Sequence, residues 1–399
     1  MAIKRNILKQ NSELKHSKIN NPCEHNILFV IGSLDIGGAE KQLYNLIKRL
    51  HGHYYQCSLF ALQTDGPFFP IYKRMGVPVF SGGLKKGDIS KAPWKLIEAE
   101  MKLLSTIRKL KPDILHAYLP LITFLGAISA RVAGVPLIIT SKRALATHQD
   151  RYFILKYLDR MANRLSHHVT VNSQAVWNHT MERDGIDPSK LVLIYNGVDV
   201  DEFAEKETAY KSDIRKSLDI RENEKVVIVV ANYIPYKGHS DFLKAAKLVC
   251  EKKTGVKFLL VGEDRGIQKH LEAESIQLGI SPFVKFLGQR NDISELLLAS
   301  DLSVLPSHEE GFSNVVLESM TSALPMVATN VGGNAESILD GTTGWLVSPR
   351  KPKELATKIL DLLNDPHKSK RWGQKGKERI KKHFSFEKTL KAHLSLYRS

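Results

Sequence analysis

The chain has 399 residues, 43% of them hydrophobic, which is more than one core of ordinary size needs and suits two α/β domains. Its net charge of +16 gathers at the ends, +4 in residues 1–20 and +10 in residues 350–399; this fits adhesion to an anionic membrane surface better than a nucleic-acid-binding body, and fits solvated tail and helix faces equally. Three distant cysteines (Cys23, Cys57, Cys250), no signal-peptide core and no apolar run of about eighteen residues exclude a disulfide framework, a zinc cluster and a membrane span, and imply a reducing cytosol.

Residues 1–22 are polar and basic and are expected to be a disordered tail. Ile27–Ile31 reads as a strand. It leads into a loop with Gly32, Gly37 and Gly38, then an amphipathic helix with Leu43, Leu46, Ile47 and Leu50 on one face. The glycine spacing is not that of a dinucleotide fingerprint, so the loop either brings backbone close to a ligand or makes a tight turn. Cys57–Leu62 and Val77–Phe80 read as strands. Trp94, Ile97, Met101, Leu104 and Ile107 mark one face of a helix, expected in the core. Asp113–His116 closes the next strand and puts His116 at its carboxyl end, where ligands bind in open parallel sheets; a lone histidine is otherwise structural. Leu119–Ala130, cut by Arg131, Gly134 and Pro136, reads as a buried helix. Leu137–Thr140 is a strand ending in Ser141, Lys142 and Arg143. Tyr152–Leu165 is a basic helix whose Lys156, Arg160 and Arg164 face lipid phosphates or water. His168–Val171 with Asn172 and Ser173 gives a strand and a helix cap. Val192–Tyr195 then runs into a hinge at Asn196–Asp199.

After a polar linker, Asp201–Glu224, the pattern restarts with Lys225–Ala231, a run apolar enough for a strand buried on both faces. A loop with Asn232, Lys237 and Gly238 follows, then a helix from Phe242. Phe258–Val261 and Val284–Leu287 are further strands, and Asp292 reads as a helix cap. The segment Asp301–Val347 organises the chain. Its strand, Leu302–Pro306, opens into the loop Ser307–Phe312, and from Ser313 a helical period holds with Val316, Met320 and Ala323. Glu310 and Gly311 therefore sit beyond a strand end, and Glu318, eight positions after Glu310, can face the same crevice. Two carboxylates can grip different hydroxyls of one ligand, while the backbone N–H groups of Gly311, Phe312 and Ser313 at the helix N-terminus can hold a phosphate. Hydroxyls plus phosphate point to a sugar nucleotide. Pro325–Thr329 is another strand, Glu336 is expected to cap the short helix after it, and the basic helical tail carries Trp372, Phe384, Phe386 and Tyr397 as anchors.

HEEGFSNVVLE, followed by PMVATNVGGNAE, resembles the donor-binding signature of family 4 retaining glycosyltransferases, and the resemblance extends from about Ile27 to Tyr397. It implies the GT-B fold: α/β, two doubly wound Rossmann-like domains facing a cleft, with the C-terminal helix crossing back to the first domain. The boundaries are then an acceptor-side domain at 23–199, a nucleotide-sugar-binding domain at 200–383 and the returning helix at 384–399. The resemblance also implies roles. Gly37 and Gly38 face the donor diphosphate and the acceptor, and His116 is an active-site histidine. Lys237 with Gly238 binds phosphate, Glu310 holds the donor sugar, and Glu318 holds the ribose. Five positions before the lysine the family has an Arg; here Asn232 stands. Either Lys237 acts with another cation, Arg143 and Arg290 being the candidates, or the diphosphate is held more weakly. With positive potential from Lys237 and the helix end, no metal is expected, and no cofactor beyond the nucleotide-diphosphate sugar itself.

The implied activity is retaining transfer of a hexose-type sugar to a glycan or lipid-linked acceptor in polysaccharide or lipopolysaccharide synthesis. The enzyme is expected in the cytoplasm, with peripheral contact to anionic membrane and none with nucleic acid. The alternatives are a sugar-nucleotide epimerase, a hydrolase using the two glutamates as acid and nucleophile, or a non-catalytic protein that binds anionic glycan or membrane.

Overall fold

A computed structural model describes residues 25–145, 153–200 and 211–399. The basic tail, Cys23, Tyr152 and residues 201–210 of the linker lie outside these ranges. Among the described residues, thirteen strands form two parallel sheets. The first has the order β3-β2-β1-β4-β5-β6-β7, with β1 (Asn26–Ile31), β2 (Gln56–Ala61), β3 (Val79–Ser81), β4 (Ile114–Tyr118), β5 (Leu137–Lys142), β6 (His168–Val171) and β7 (Leu191–Leu193). The second has the order β10-β9-β8-β11-β12-β13, with β8 (Lys225–Val230), β9 (Val256–Val261), β10 (Val284–Phe286), β11 (Leu302–Leu305), β12 (Met326–Thr329) and β13 (Gly344–Val347). The last of these strands is absent from the sequence reading. Both sheets reverse winding direction once, between β1 and β4 and between β8 and β11, and a crevice opens beyond the strand ends at each switch point.

The helices that position the site are α1 (Gly38–Leu50), α2 (Lys95–Leu110), α3 (Ile122–Ala133), α4 (Phe153–Leu165), α5 (Gln174–Asp184), α6 (His239–Lys252), α7 (Asn314–Thr321), α8 (Pro366–His383) and α9 (Phe386–Leu396). They cover both faces of each sheet, which is why β1, β8 and β11 are apolar almost throughout and buried except at the ends of β1 and β8, where Asn26 is exposed and Lys225 and Val230 are half-buried. The chain end ties the domains together. Phe384 packs in the second core against Tyr195 and Phe312, with ring centroids 5.3 and 5.4 Å away. Two residues later Phe386 enters the first core, joined there by Leu396 and Tyr397. No described helix is long and apolar enough to cross a membrane.

The expectation for α2 needs correction. Trp94, Ile97 and Met101 are 61%, 65% and 60% exposed; of the expected stripe Ile107 does enter the core, where Ala99 and Leu103 join it. Two apolar stripes share this helix, and its periodicity alone cannot say which one the sheet covers.

Candidate active site

The two switch points face each other across a cavity of about 480 Å³. From the first domain it is lined by the loop after β1 with Gly37, Gly38 and Lys41, by Leu119 after β4 and by Arg143 after β5. From the second come Asn232 and Lys237 after β8, Gly262 and Glu263 after β9, and the segment from Glu309 to Glu318 after β11. The sequence-predicted residues Gly37, Gly38, Lys237, Glu310, Gly311, Phe312, Ser313 and Glu318 thus share one cavity. His116 does not.

Each carboxylate meets a lysine. Glu310, which is 9% exposed, accepts hydrogen bonds on one oxygen from Lys237 Nζ and Ser307 Oγ, both at 2.7 Å. Burial alone would lower the Lys237 pKa, but the Glu310 charge and hydrogen bond outweigh it and hold the ammonium above the ordinary lysine range. Lys237 is therefore charged at any working pH. Gly238 carries φ 71°, and a Cβ there would run into the Pro306 carbonyl, so the lysine loop and the end of β11 touch only because this residue is glycine. Glu318, 6% exposed on α7, accepts from Lys41 Nζ at 2.6 Å across the cleft. An ionised carboxylate has about four acceptor positions, so both glutamates keep capacity for a ligand's hydroxyls.

Ser313 occupies the N-cap of α7 without making a side-chain cap. Among the described residues, none accepts a hydrogen bond from the backbone N–H groups of Gly311, Phe312 or Ser313. Unused donors at a helix N-terminus are what an anion site requires.

The first-domain glycines stand in the cavity wall and also help to join the domains. Gly37 caps α1 with φ −136°, which any residue adopts. Gly38 gives its carbonyl to Asn314 Nδ2 at 2.9 Å, so the close approach it permits is between domains. Asn314 is a hub that sequence reasoning missed. Its Oδ1 accepts from Gln42 at 3.0 Å and from the hinge residue Asn196 at 2.9 Å. Lys41 was missed too, although a residue in the first turn after the paired glycines has to stand at the rim of the crevice. Glu336 caps, but not its own helix: its carboxylate accepts the backbone N–H of Gln174 and Ala175 at 2.8 and 3.0 Å, at the start of α5 in the first domain.

His116 lies in the middle of β4, which runs on to Tyr118, and it is fully buried. Its Nδ1 bonds Tyr397 Oη and its Nε2 bonds Ser141 Oγ, both at 2.8 Å. Burial, then the charges of His393 and Arg143, push its pKa well below the usual value. It is a neutral pin between the first sheet and the returning C-terminal segment, not a group at the cleft. Asp292 likewise makes no cap bond and instead holds Arg290 at 2.5 and 2.8 Å. The chain also contains one Asp-x-Asp run, Asp199 to Asp201, a pattern that elsewhere binds a divalent cation. Asp199 is bound by Arg49, and Asp201 lies outside the described residues.

The family model of the glycosyl transferases group 1 matches residues 211–379, and that of glycosyltransferase family 4 matches residues 36–202. N-acetyl-alpha-D-glucosaminyl L-malate synthase of Bacillus anthracis is 31% identical over 245 residues, 61% of this chain and 62% of that protein, so the match spans less than two thirds of that relative. The UDP-Gal:alpha-D-GlcNAc-diphosphoundecaprenol alpha-1,3-galactosyltransferase of Escherichia coli is 28% identical over 260 residues, 63% of this chain and 67% of the other. Among solved structures, Anabaena HepE in complex with UDP and glucose matches with a TM-score of 0.83 at 25% identity, over 94% of this chain and 99% of that one.

Proposed function

The chain belongs to the family 4 glycosyltransferases, and from that premise we propose that it moves a hexose-type sugar, with retention of anomeric configuration, from a nucleotide-diphosphate sugar to a glycan or lipid-linked acceptor in cell-surface polysaccharide synthesis. The observation that carries the reading is the single cavity shared by Glu310, Lys237, Glu318 and the unused N–H groups before α7. Glu318 takes the ribose, Glu310 the hydroxyls of the donor sugar, and Lys237 with the N–H groups of Gly311, Phe312 and Ser313 the diphosphate. The bond between the anomeric carbon and the diphosphate oxygen breaks, the acceptor oxygen bonds that carbon, and the departing phosphate takes the acceptor's proton. Charge on the leaving group is met by preorganised donors, which stabilise a developing anion without reorganising, so the reading assigns this task to protein groups rather than to a metal or a cofactor. HepE, bound to UDP and glucose, supports testing UDP-sugars first.

The acceptor side carries a second line of support, for work in the cytoplasm at a membrane surface. Helices α2, α3 and α4 lie side by side on one face of the first sheet. Each comes between two strands of that sheet in the chain. Trp94 and, on α2, Ile97 and Met101 are exposed, as are Ile154 and Tyr157 on α4; Lys91, Lys102 and Lys156 lie in the same stretches of chain. Residues 21–199 contain 22 Lys/Arg against 14 Asp/Glu, whereas residues 200–349 contain 16 against 22. The positive charge is therefore not confined to the termini but continues over the acceptor-side domain, where apolar anchors and cations together favour an anionic bilayer.

Product analysis tests the proposal: the full chain is incubated with a labelled UDP-hexose and a diphosphate-lipid-linked sugar, and the new linkage is examined by NMR. The expected result is transfer with the donor's anomeric configuration kept. Donor hydrolysis at full rate without acceptor, or isomerised nucleotide sugar without transfer, would contradict it.

A further inference from the structure

Among the described residues four cations line the cavity, and carboxylates account for three of them. Lys41 is paired with Glu318, Lys237 with Glu310 and Arg290 with Asp292. Arg143 differs. Among the described residues it has no acidic partner; Nη1 donates to Asn196 Oδ1 at 3.2 Å, and Nε is buried with no partner at all. The guanidinium lies 5.1 Å from the centre of the Tyr118 ring, a stacking contact that tolerates a cation without neutralising it. Its charge also helps to keep the buried His116 and His393 neutral, so the surrounding groups yield to the arginine rather than compensate it.

The position is as telling as the charge. A Cβ on Gly311 would run into the carbonyl of Arg143, so this arginine's backbone is packed against the very loop whose N–H groups are unused. Asn196 links the two: it accepts from the guanidinium and donates to the Phe312 carbonyl at 3.0 Å, and Arg143, Gly311, Phe312 and Ser313 all line the one cavity. On the lysine side, Asn232 contributes no charge; its Oδ1 accepts from the Glu263 backbone at 3.2 Å. An isolated guanidinium in a part-buried cleft is costly, and its fork of donors matches phosphate or carboxylate oxygens.

Resting on the reading of this cleft as a sugar-transfer site, we propose that Arg143 is its open anion-binding residue, taking an oxygen of the donor's diphosphate from the first-domain wall or an anionic group on the acceptor. Both sources share one chemistry, an oxyanion held by a guanidinium opposite backbone amides, and they separate experimentally. Full-length wild type, Arg143→Gln and Arg143→Lys are titrated by calorimetry with inorganic pyrophosphate and UDP for the donor source, and with glucose 6-phosphate against glucose for the acceptor source. Melting curves confirm that each variant is folded; Arg143→Lys keeps the charge if the glutamine variant does not fold. If the anion is the donor's, Arg143→Gln weakens pyrophosphate and UDP about 10- to 100-fold, and the lysine variant recovers part of the loss. If it is the acceptor's, those affinities hold and the preference for glucose 6-phosphate over glucose disappears instead. Equal affinities of folded variants and wild type in both arms overturn the proposal, as does a wild type that binds none of these anions. Arg143-dependent pyrophosphate binding without binding of any nucleotide sugar would leave the arginine site standing and remove the transferase reading; sugar transfer indifferent to Arg143 would do the reverse.

Discussion

Replacing Lys237 by Ala removes a full positive charge, because the Glu310 interaction keeps this ammonium protonated. Two effects follow, and the structure separates them. The first is on stability. The pair is 20% and 9% exposed, so Glu310 is left nearly buried with Ser307 Oγ as its remaining donor. Stranding a carboxylate in this way should cost about 1–3 kcal/mol; a fully buried pair would cost more. The second effect is on chemistry. Charge on the leaving diphosphate grows toward the transition state, so loss of one preorganised donor should lower kcat by about 10²–10³ with a smaller change in KM. Urea denaturation reads the first and steady-state transfer at saturating donor reads the second. In a Glu310→Gln background the stability loss should shrink, since no carboxylate is stranded, while the further kcat loss from Lys237→Ala persists. A folded Lys237→Ala enzyme with kcat near wild type would refute the leaving-group role.

Four other outcomes are expected. Glu318→Ala should weaken donor binding about 10- to 100-fold by loss of a charged acceptor for ribose hydroxyls, read by calorimetry, and Lys41→Ala should not reproduce that loss. Trp94→Ser, Ile97→Ser and Met101→Ser combined, like deletion of residues 1–20, should reduce salt-sensitive binding to anionic liposomes while leaving activity on soluble substrates intact; unchanged cosedimentation would make the stripe an ordinary solvated face. His393 has its pKa pushed down to about 3 and His116 well below its ordinary value, chiefly by burial. Both bind protons more readily unfolded, so their contribution to stability is complete above about pH 6.5 and is lost as pH falls toward their folded values. Melting temperature should therefore drop between pH 7 and 5, less steeply in His393→Gln; an unaltered slope would show that other groups carry it. Gly238→Ala forces a left-handed φ on a residue with a Cβ aimed at Pro306, and should lower both stability and activity, checked by melting and transfer assays.

How far these residues could be read from sequence depends on what fixes them. Strands such as β8 and β11 are legible because a strand buried on both faces must be apolar throughout, and Glu310 follows from them because a loop after such a strand opens at the crevice. His116 looked similar from its place in the chain. Its true surroundings come from Tyr397, 281 positions away, and no local pattern announces that. The α2 stripe failed toward its N-terminus for another reason: Ile97 and Leu103 belong to two apolar faces of one helix, and only the sheet decides which is buried. Lys41 and Asn314 are set by the opposing domain, so their spacing within their own helices says nothing of their partners.

The claim on which the rest depends is that the cleft binds a nucleotide-diphosphate sugar, and the direct measurement is a calorimetric screen of the full chain against UDP-, GDP- and ADP-sugars. Saturable binding of one such donor, weakened in both Glu310→Gln and Glu318→Ala, is the predicted result; folded protein that binds none of the three classes, or binds one equally well in wild type and both variants, would contradict it.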